Sequence, residues 1–361
     1  MKVPLCKVYV DKEIKDTVNQ VLDSGQYIRG KEVKNFQNEF ASYIGTKHAI
    51  ATNSGTSALQ VAMEVIGLKP GDEVLVPSHT FIASVSPIIH RGAKPILVDI
   101  DINTYTMDVE DVKNKITSKT KAIIPVHLYG HPCRMSELVE ISKDNNLLMI
   151  EDCAQAHGAT YKGKKVGTFG DINCFSFFPS KIMTVAGDGG MIVTNNKELA
   201  ENASALIDTG RLPGCKYSHA FFGYNYRMSE ILASIGRIQL KHLEEWITLR
   251  RKVSEWYKEK IRFGPVLIPY ENPFVRHAYY VYTIRLNRRD KLKKFLDNKG
   301  ISTGIYYPIP VHKQPCWGSR HIPNLPVTNT ICDEILSLPM HPQLSYEDVD
   351  YISKSIAEFF T

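Results

Sequence analysis

Between about residues 45 and 195 the chain alternates short β-rich runs with helix-patterned segments, and this alternation restricts the fold more than any other feature. The runs are Glu73–Val76, Pro95–Val98, Lys121–Val126, Leu147–Ile150 and Met191–Thr194. Helical patterns fill the intervals, as at Thr56–Gly67, which Gly67 closes before a Leu-Lys-Pro-Gly turn, and at Val109–Ile116. Repetition of this kind predicts an α/β fold around a mainly parallel sheet covered on both faces. From about 197 to 260 helix dominates, with Met228–Leu243 giving way to a run through Trp256 and Ile261. The last hundred or so residues read as α+β, with a strand near Ala278–Leu286, a helix near Lys291–Asn298, a Pro-rich loop over Tyr307–Pro315 and a final helix over Tyr346–Phe359. A chain of 361 residues has room for one large domain and a smaller one. The division is expected near 240, giving domains 1–240 and 241–361, and they should share an interface because no low-complexity linker separates them.

Composition excludes several classes. With 43% apolar and 23% charged residues the chain is ordinarily globular, and neither disordered, collagenous nor coiled-coil. A net charge of +6 without a basic cluster predicts no nucleic-acid partner, since the densest stretch, Arg288–Phe295, has the spacing of a solvated amphipathic helix. The longest uncharged run, Val74–His90, is broken by Pro77 and Pro87, so no membrane span is expected. The first residues lack the apolar core of a secretory signal. Seven scattered cysteines with no C-x-x-C pair predict free thiols, and with them a cytoplasmic location.

Three segments carry chemistry. In Ala51–Gln60 a strand-like stretch passes through Asn53-Ser-Gly55 into a helix; Gly55 permits close backbone approach, and the helix start with the hydroxyls of Thr56 and Ser57 suits a phosphate, or simply caps the helix. The segment Leu147–His157 is a buried strand ending in Glu151-Asp152, at the edge where open α/β sheets bind ligands. A carboxylate there can keep a heteroaromatic nitrogen protonated, as pyridoxal phosphate (PLP) enzymes require, or cap a helix. Lys181 stands among apolar and aromatic residues ahead of a Gly-rich turn, where an ammonium is costly to bury. A Schiff base with an aldehyde cofactor removes that cost; a snorkelling surface lysine is the alternative. His127 and His131 have metal-like spacing, but Tyr-Gly between them and Pro132 after them prevent a helix from presenting both rings, so no metal is expected. The absence of a P-loop or a strand-to-helix G-x-G-x-x-G argues against an NTPase or a dehydrogenase.

Taken in order, these segments resemble the DegT/DnrJ/StrS family of PLP-dependent sugar aminotransferases, in the aspartate-aminotransferase fold group. The resemblance begins at Ser24–Gly30 and passes through Asn53–Leu59, Pro77–Phe81, Glu151–Gln155, Ser176–Lys181 and Gly223–Met228 to Tyr306–His312 and Leu338–Pro342. It implies PLP-dependent transferase fold type I: a large domain with a mainly parallel seven-stranded sheet covered by helices, plus a smaller α+β C-terminal domain. It also implies that Lys181 is the Schiff-base lysine, Asp152 the partner of the pyridine nitrogen, and Gln155 the neighbour of the ring hydroxyl. Phe81 would stack on the cofactor, and Thr56, Ser57 and Ser176 would bind its phosphate beside Gly55. Asn225 matches an asparagine that reaches the phosphate from the other subunit, which implies a homodimer with shared active sites.

The activity implied is amino transfer from L-glutamate to a keto sugar, a nucleotide-linked 3-keto or 4-keto deoxysugar, in amino-sugar and surface-polysaccharide biosynthesis. Tyr27, Arg29, His219, Arg227 and His312 are candidate acceptor contacts, and loops 212–222 and 307–318 are expected to set acceptor choice. The Gly187–Gly190 form, with Asp188 where relatives often carry Glu, leans towards a ketone at carbon 3. No evident equivalent of the arginine that clamps a substrate carboxylate in aspartate aminotransferases is present, which favours a sugar acceptor. A keto-cyclitol acceptor, a sugar dehydratase and a non-catalytic regulator on the same fold are the alternatives; Lys181 argues against the dehydratases, which carry histidine there.

Overall fold

A computed structural model describes residues 2–211, 214–262 and 264–361. Leu212 and Pro213, the first two positions of the expected acceptor loop 212–222, lie outside the described residues, as do Met1 and Phe263. The strands in chain order are β1 (His48–Thr52), β2 (Glu73–Pro77), β3 (Lys94–Val98), β4 (Thr120–Ile123), β5 (Leu148–Asp152), β6 (Thr160–Tyr161), β7 (Lys164–Lys165), β8 (Ile172–Ser176), β9 (Gly190–Thr194), β10 (Val275–Arg276), β11 (Tyr282–Arg285) and β12 (Ile335–Leu338). The α-helices are α1 (Lys12–Ser24), α2 (Lys31–Ile44), α3 (Gly55–Val65), α4 (Ser86–His90), α5 (Val109–Lys115), α6 (Met135–Asp144), α7 (Lys197–Ile207), α8 (Glu230–Lys260), α9 (Arg289–Asn298), α10 (Pro326–Glu334) and α11 (Tyr346–Phe360).

Seven strands form the main sheet in the order β1-β9-β8-β5-β4-β2-β3. The pairs from β8 through β5, β4 and β2 to β3 are parallel, while β9 runs antiparallel to both β8 and β1. This is the mainly parallel seven-stranded sheet of fold type I. Every residue of β2, β8 and β9 is buried, as strands sandwiched between helix layers must be. Helix α3 lays Ala58, Leu59, Val61, Ala62 and Met63 against β8 and β9. Helix α2 buries Phe36, Phe40 and Ile44, one every fourth residue, and packs on α8. Gly236 allows that approach, because a Cβ there would stand 2.6 Å from the Phe36 ring.

The stretch Met228–Ile261, read from sequence as two joined helical segments, holds one helix of 31 residues, Glu230–Lys260, capped by the Ser229 side chain. Position 240, where the sequence suggests a division, falls inside this helix. The C-terminal half of α8 supplies Val253 and Tyr257 to a second core with β11, β12, α9 and α11. The strand expected over Ala278–Leu286 forms only at Tyr282–Arg285. Its first residues instead bond to the loop after β4, with Ala278 N–H on the Gly130 carbonyl and Tyr280 N–H on that of Tyr129, which fastens the C-terminal unit to the main sheet. All seven cysteines are free thiols. Among the described residues no helix is long and apolar enough to cross a membrane.

Candidate active site

Strand β5 ends in two adjacent acids, and alternation along the strand sends them to opposite sides of the sheet. Asp152 faces a cavity of about 410 Å³ whose walls include Gly55, Thr56, Phe81, Gln155, Ser176 and Lys181. Its carboxylate is held in place: Ser84 Oγ donates to Oδ2 at 2.7 Å and the Ala154 N–H donates to Oδ1 at 3.1 Å. Glu151 points the other way and is fully buried. It accepts the N–H groups of Gly167, Phe169 and Gly170 at 2.7–2.9 Å, and His127 Nε2 lies 2.9 Å from its Oε2. Because His127 Nδ1 accepts the Cys133 N–H at 3.0 Å, Nε2 carries the ring proton and donates to Glu151.

Lys181 follows β8, on the connection into β9, and its ammonium lies 4.9 Å from the centre of the Tyr280 ring. Burial pushes the Lys181 pKa down to about 8, against the opposing pull of Asp152. Beneath it His157 is wholly buried between Phe175 and Phe177, and burial pushes its pKa down to about 3, so that ring is neutral. At the far end of the cavity, a Cβ on Gly55 would stand 2.7 Å from Ser176 Cβ, so only glycine lets the start of α3 meet the Ser176 hydroxyl. Helix starts leave their first amides unpaired, which together with the hydroxyls of Thr56 and Ser176 makes an anion seat. Phe81 is about half exposed on the cavity wall, 5.7 Å from the Tyr307 ring.

Not every residue singled out in the sequence meets at this cavity. Ser57 turns back to Asn53, its hydroxyl donating to Oδ1 at 2.7 Å, while Ser54, on the cavity wall, caps the helix by accepting the Ser57 N–H at 3.1 Å. His312 lies under the wall, fully buried between Ser78 Oγ at 2.7 Å and Asn329 Oδ1 at 3.2 Å. Asn225 is exposed and off the cavity, with its backbone paired to Asp208. Arg29, Arg211 and Arg227 gather on Asp208, with Arg227 Nη1 at 2.5 Å and Arg211 Nε at 3.7 Å. Although partial burial works against it, Arg29 and Arg227 hold the Asp208 carboxyl below its ordinary range. Tyr27 and His219 are exposed; Tyr27 donates to the Leu22 carbonyl at 3.2 Å, and His219 Nδ1 lies 2.9 Å from the Thr209 carbonyl. Sequence reading missed Ser84, Tyr280, Tyr306 and Tyr307 as cavity residues. Ser84 carried no motif, and the tyrosines come from segments far along the chain.

His127, Glu151 and Cys153 bring donor atoms within 4.8 Å of one another. The hydrogen bonds above commit the first two, so this group acts as a structural brace. In the cavity itself the donor set suits a different ligand: a carboxylate for a basic ring nitrogen, a partly deprotonated amine for an electrophilic carbon, an aromatic wall and an anion seat.

The model of the DegT/DnrJ/EryC1/StrS aminotransferase family matches residues 8–357. A "Pleiotropic regulatory protein" of Geobacillus stearothermophilus is 41% identical over 353 residues, covering 96% of this chain and 94% of that protein. A dTDP-3-amino-3,6-dideoxy-alpha-D-galactopyranose transaminase of Aneurinibacillus thermoaerophilus is 41% identical over 348 residues, covering 96% and 95%. The crystal structure of S. venezuelae DesV superposes with a TM-score of 0.96 at 38% identity, covering 99% of this chain and 98% of that one.

Proposed function

Since the chain belongs to the DegT/DnrJ/EryC1/StrS aminotransferase family and is a PLP-dependent transaminase, we propose that it moves an amino group from L-glutamate to a nucleotide-linked keto sugar. The acceptor class is a 3-keto or 4-keto deoxysugar, with the relative named for a dTDP-linked 3-amino sugar and the Gly187–Gly190 turn favouring carbon 3. The observation that carries this reading is the convergence of Lys181, with its depressed pKa, and the pinned Asp152 in one cavity at the carboxyl edge of the sheet.

When bound, PLP supplies an electrophilic carbon that takes up the amino group and a ring that accepts electron density as the substrate C–H bond breaks. Asp152, with both oxygens oriented, holds the proton on the pyridine nitrogen. Lys181 Nζ is the amine that holds the cofactor. Once displaced by substrate, Nζ would take the proton from the substrate carbon and deliver it to the aldehyde-derived carbon of the cofactor, and a pKa near 8 leaves an appreciable neutral fraction for that work. Gly55, Thr56 and Ser176 seat the phosphate, Phe81 covers the ring face, and Gln155 stands by the ring hydroxyl. The regulatory name of one relative does not favour a non-catalytic reading, because the chemical set is complete here. Incubating the glutamate-loaded protein with a panel of nucleotide-linked 3-keto and 4-keto sugars tests the acceptor. A 3-keto sugar should be aminated fastest; turnover of neither class would refute the nucleotide-sugar reading.

We further propose a homodimer with shared active sites, working in the cytoplasm, where free thiols stay reduced. Among the described residues lining the cavity, Lys181 is the only cationic side chain, yet glutamate carries two carboxylates and a nucleotide sugar carries a diphosphate. Arg29, on Asp208, and the neighbouring Asn225 stand exposed elsewhere, where a second copy can bring them to the cavity mouth. Lys181→Ala and Asn225→Ala proteins should each be inactive at limiting PLP. Subunit exchange between them should restore roughly a quarter of the wild-type activity, because half of the dimers then hold one native site. No recovery on exchange would place Asn225 in its own subunit's site.

A further inference from the structure

The hydrogen bonds around the cavity fix the direction of one proton that no step above uses. Among the described residues Gln155 is bonded on both sides. The Tyr129 N–H can only donate, so the Gln155 atom 2.7 Å from it is Oε1. Its amide NH₂ therefore faces Tyr307 at 3.0 Å, and the Tyr307 oxygen accepts. Among the described residues no acceptor meets the phenolic hydrogen of Tyr307, and the residue lines the same cavity as Lys181.

The frame that holds Tyr307 is itself directed. Tyr129 spends its own hydroxyl proton on the Tyr306 carbonyl, so it accepts from His79 Nε2, 2.9 Å away. That leaves His79 Nδ1 to accept the Cys332 thiol proton at 3.3 Å. Burial drives the His79 pKa down to about 3, so this ring stays neutral and its single proton stays on Nε2. A few residues on, the same loop is pinned again, where the Val311 N–H meets the Ser78 carbonyl at 3.0 Å. Burial also raises the Tyr307 pKa well above that of a free phenol, with the Asp152 charge adding to it, so the O–H remains a donor throughout the working range.

We propose that Tyr307 is a further catalytic residue, whose O–H donates a hydrogen bond to the carbonyl oxygen of the keto substrate and polarises that carbonyl towards attack by the amine. The inference rests on the aminotransferase reading above, and it concerns both half-reactions, because each passes a ketone through the same reacting position in opposite directions. His79 and Tyr129 are positioning residues that act through Tyr306 and Gln155. A preorganised donor at a developing negative oxygen is the arrangement that accelerates carbonyl chemistry most.

The test uses the PLP-loaded enzyme with 2-oxoglutarate labelled with carbon-13 at the keto carbon. The loaded enzyme holds no amine to transfer, so the ketone stays intact while bound. Infrared difference spectra should show the bound keto band below its solution position in the wild type and in Tyr306→Phe, and back near the solution position in Tyr307→Phe. In turnover, Tyr307→Phe should lose on the order of 10²-fold in kcat with KM little changed. Its affinity for PLP and the absorption maximum of the bound cofactor should stay as in the wild type. An unshifted band in the wild type, or a shift that survives in Tyr307→Phe, overturns the proposal. A changed cofactor spectrum with an unchanged keto band would also overturn it, since Tyr307 would then act only through Gln155. Conversion of the cofactor by glutamate in the same preparation tests the aminotransferase reading separately, so the two can fail independently.

Discussion

Replacing Lys181 with alanine is expected to lower kcat by at least about 10³-fold, the upper range for a positioned acid–base group, since this side chain both holds the cofactor and carries the proton. The protein should still fold, because the change removes a costly amine from a half-buried site and leaves the aromatic contacts of the neighbouring strands in place. Its cofactor should exchange freely, and borohydride should no longer fix it to the chain. A pH signature accompanies this in the wild type. With a pKa near 8, the Lys181 amine is protonated and unreactive below that value and free above it. The rate at which apo-protein captures PLP should therefore rise through pH 8 and level off. A rate that keeps rising towards pH 10 would mean that burial does not depress this amine.

The second large effect concerns stability. Glu151→Gln should cost about 3–5 kcal/mol, nearly as much as Glu151→Ala. All four groups that meet this carboxylate are donors: three backbone N–H groups and His127 Nε2. A glutamine places its own NH₂ against two of them. Switching the His127 tautomer does not relieve the conflict, because Nδ1 would then carry a hydrogen facing the Cys133 N–H. The braced segment includes the turn at Gly167–Gly170 and the end of β5, so Asp152 next door should lose its register and activity should fall together with the unfolding midpoint. A Glu151→Gln protein as stable as the wild type would show that the pair is not the brace described here.

The sheet was legible because its strands are buried on both faces and read as continuous apolar runs, as β2 and β9 do. Asp152, at the end of a strand, and Lys181, ahead of a Gly-rich turn, could be singled out because each falls within an ordered set of motifs. The residues by themselves left Asp152 and Glu151 alike, and only the family resemblance singled out Asp152; the strand then sends the two to opposite sides. Ser57 shows the same limit, since a helix-start hydroxyl serves a cap or an anion equally well, and here it turns to Asn53. His312, expected from sequence to contact the acceptor, is buried between Ser78 and Asn329. Tyr280 and Tyr307 reach the cavity only because the C-terminal segments fold back over the sheet, a relation between distant parts of the chain that no local pattern encodes. The long helix α8 hid the expected division at 240 for a similar reason, because one element serves both cores.

The central claim is that Lys181 and Asp152 form a single transaminating centre, and the glutamate half-reaction tests it most directly. PLP-loaded protein mixed with L-glutamate, without any sugar, should lose its yellow absorbance and gain that of the pyridoxamine form, releasing one 2-oxoglutarate per site. The Lys181→Ala protein should show neither change on the same timescale. Unaltered absorbance in the wild type, or conversion at the same rate in Lys181→Ala, would contradict the account.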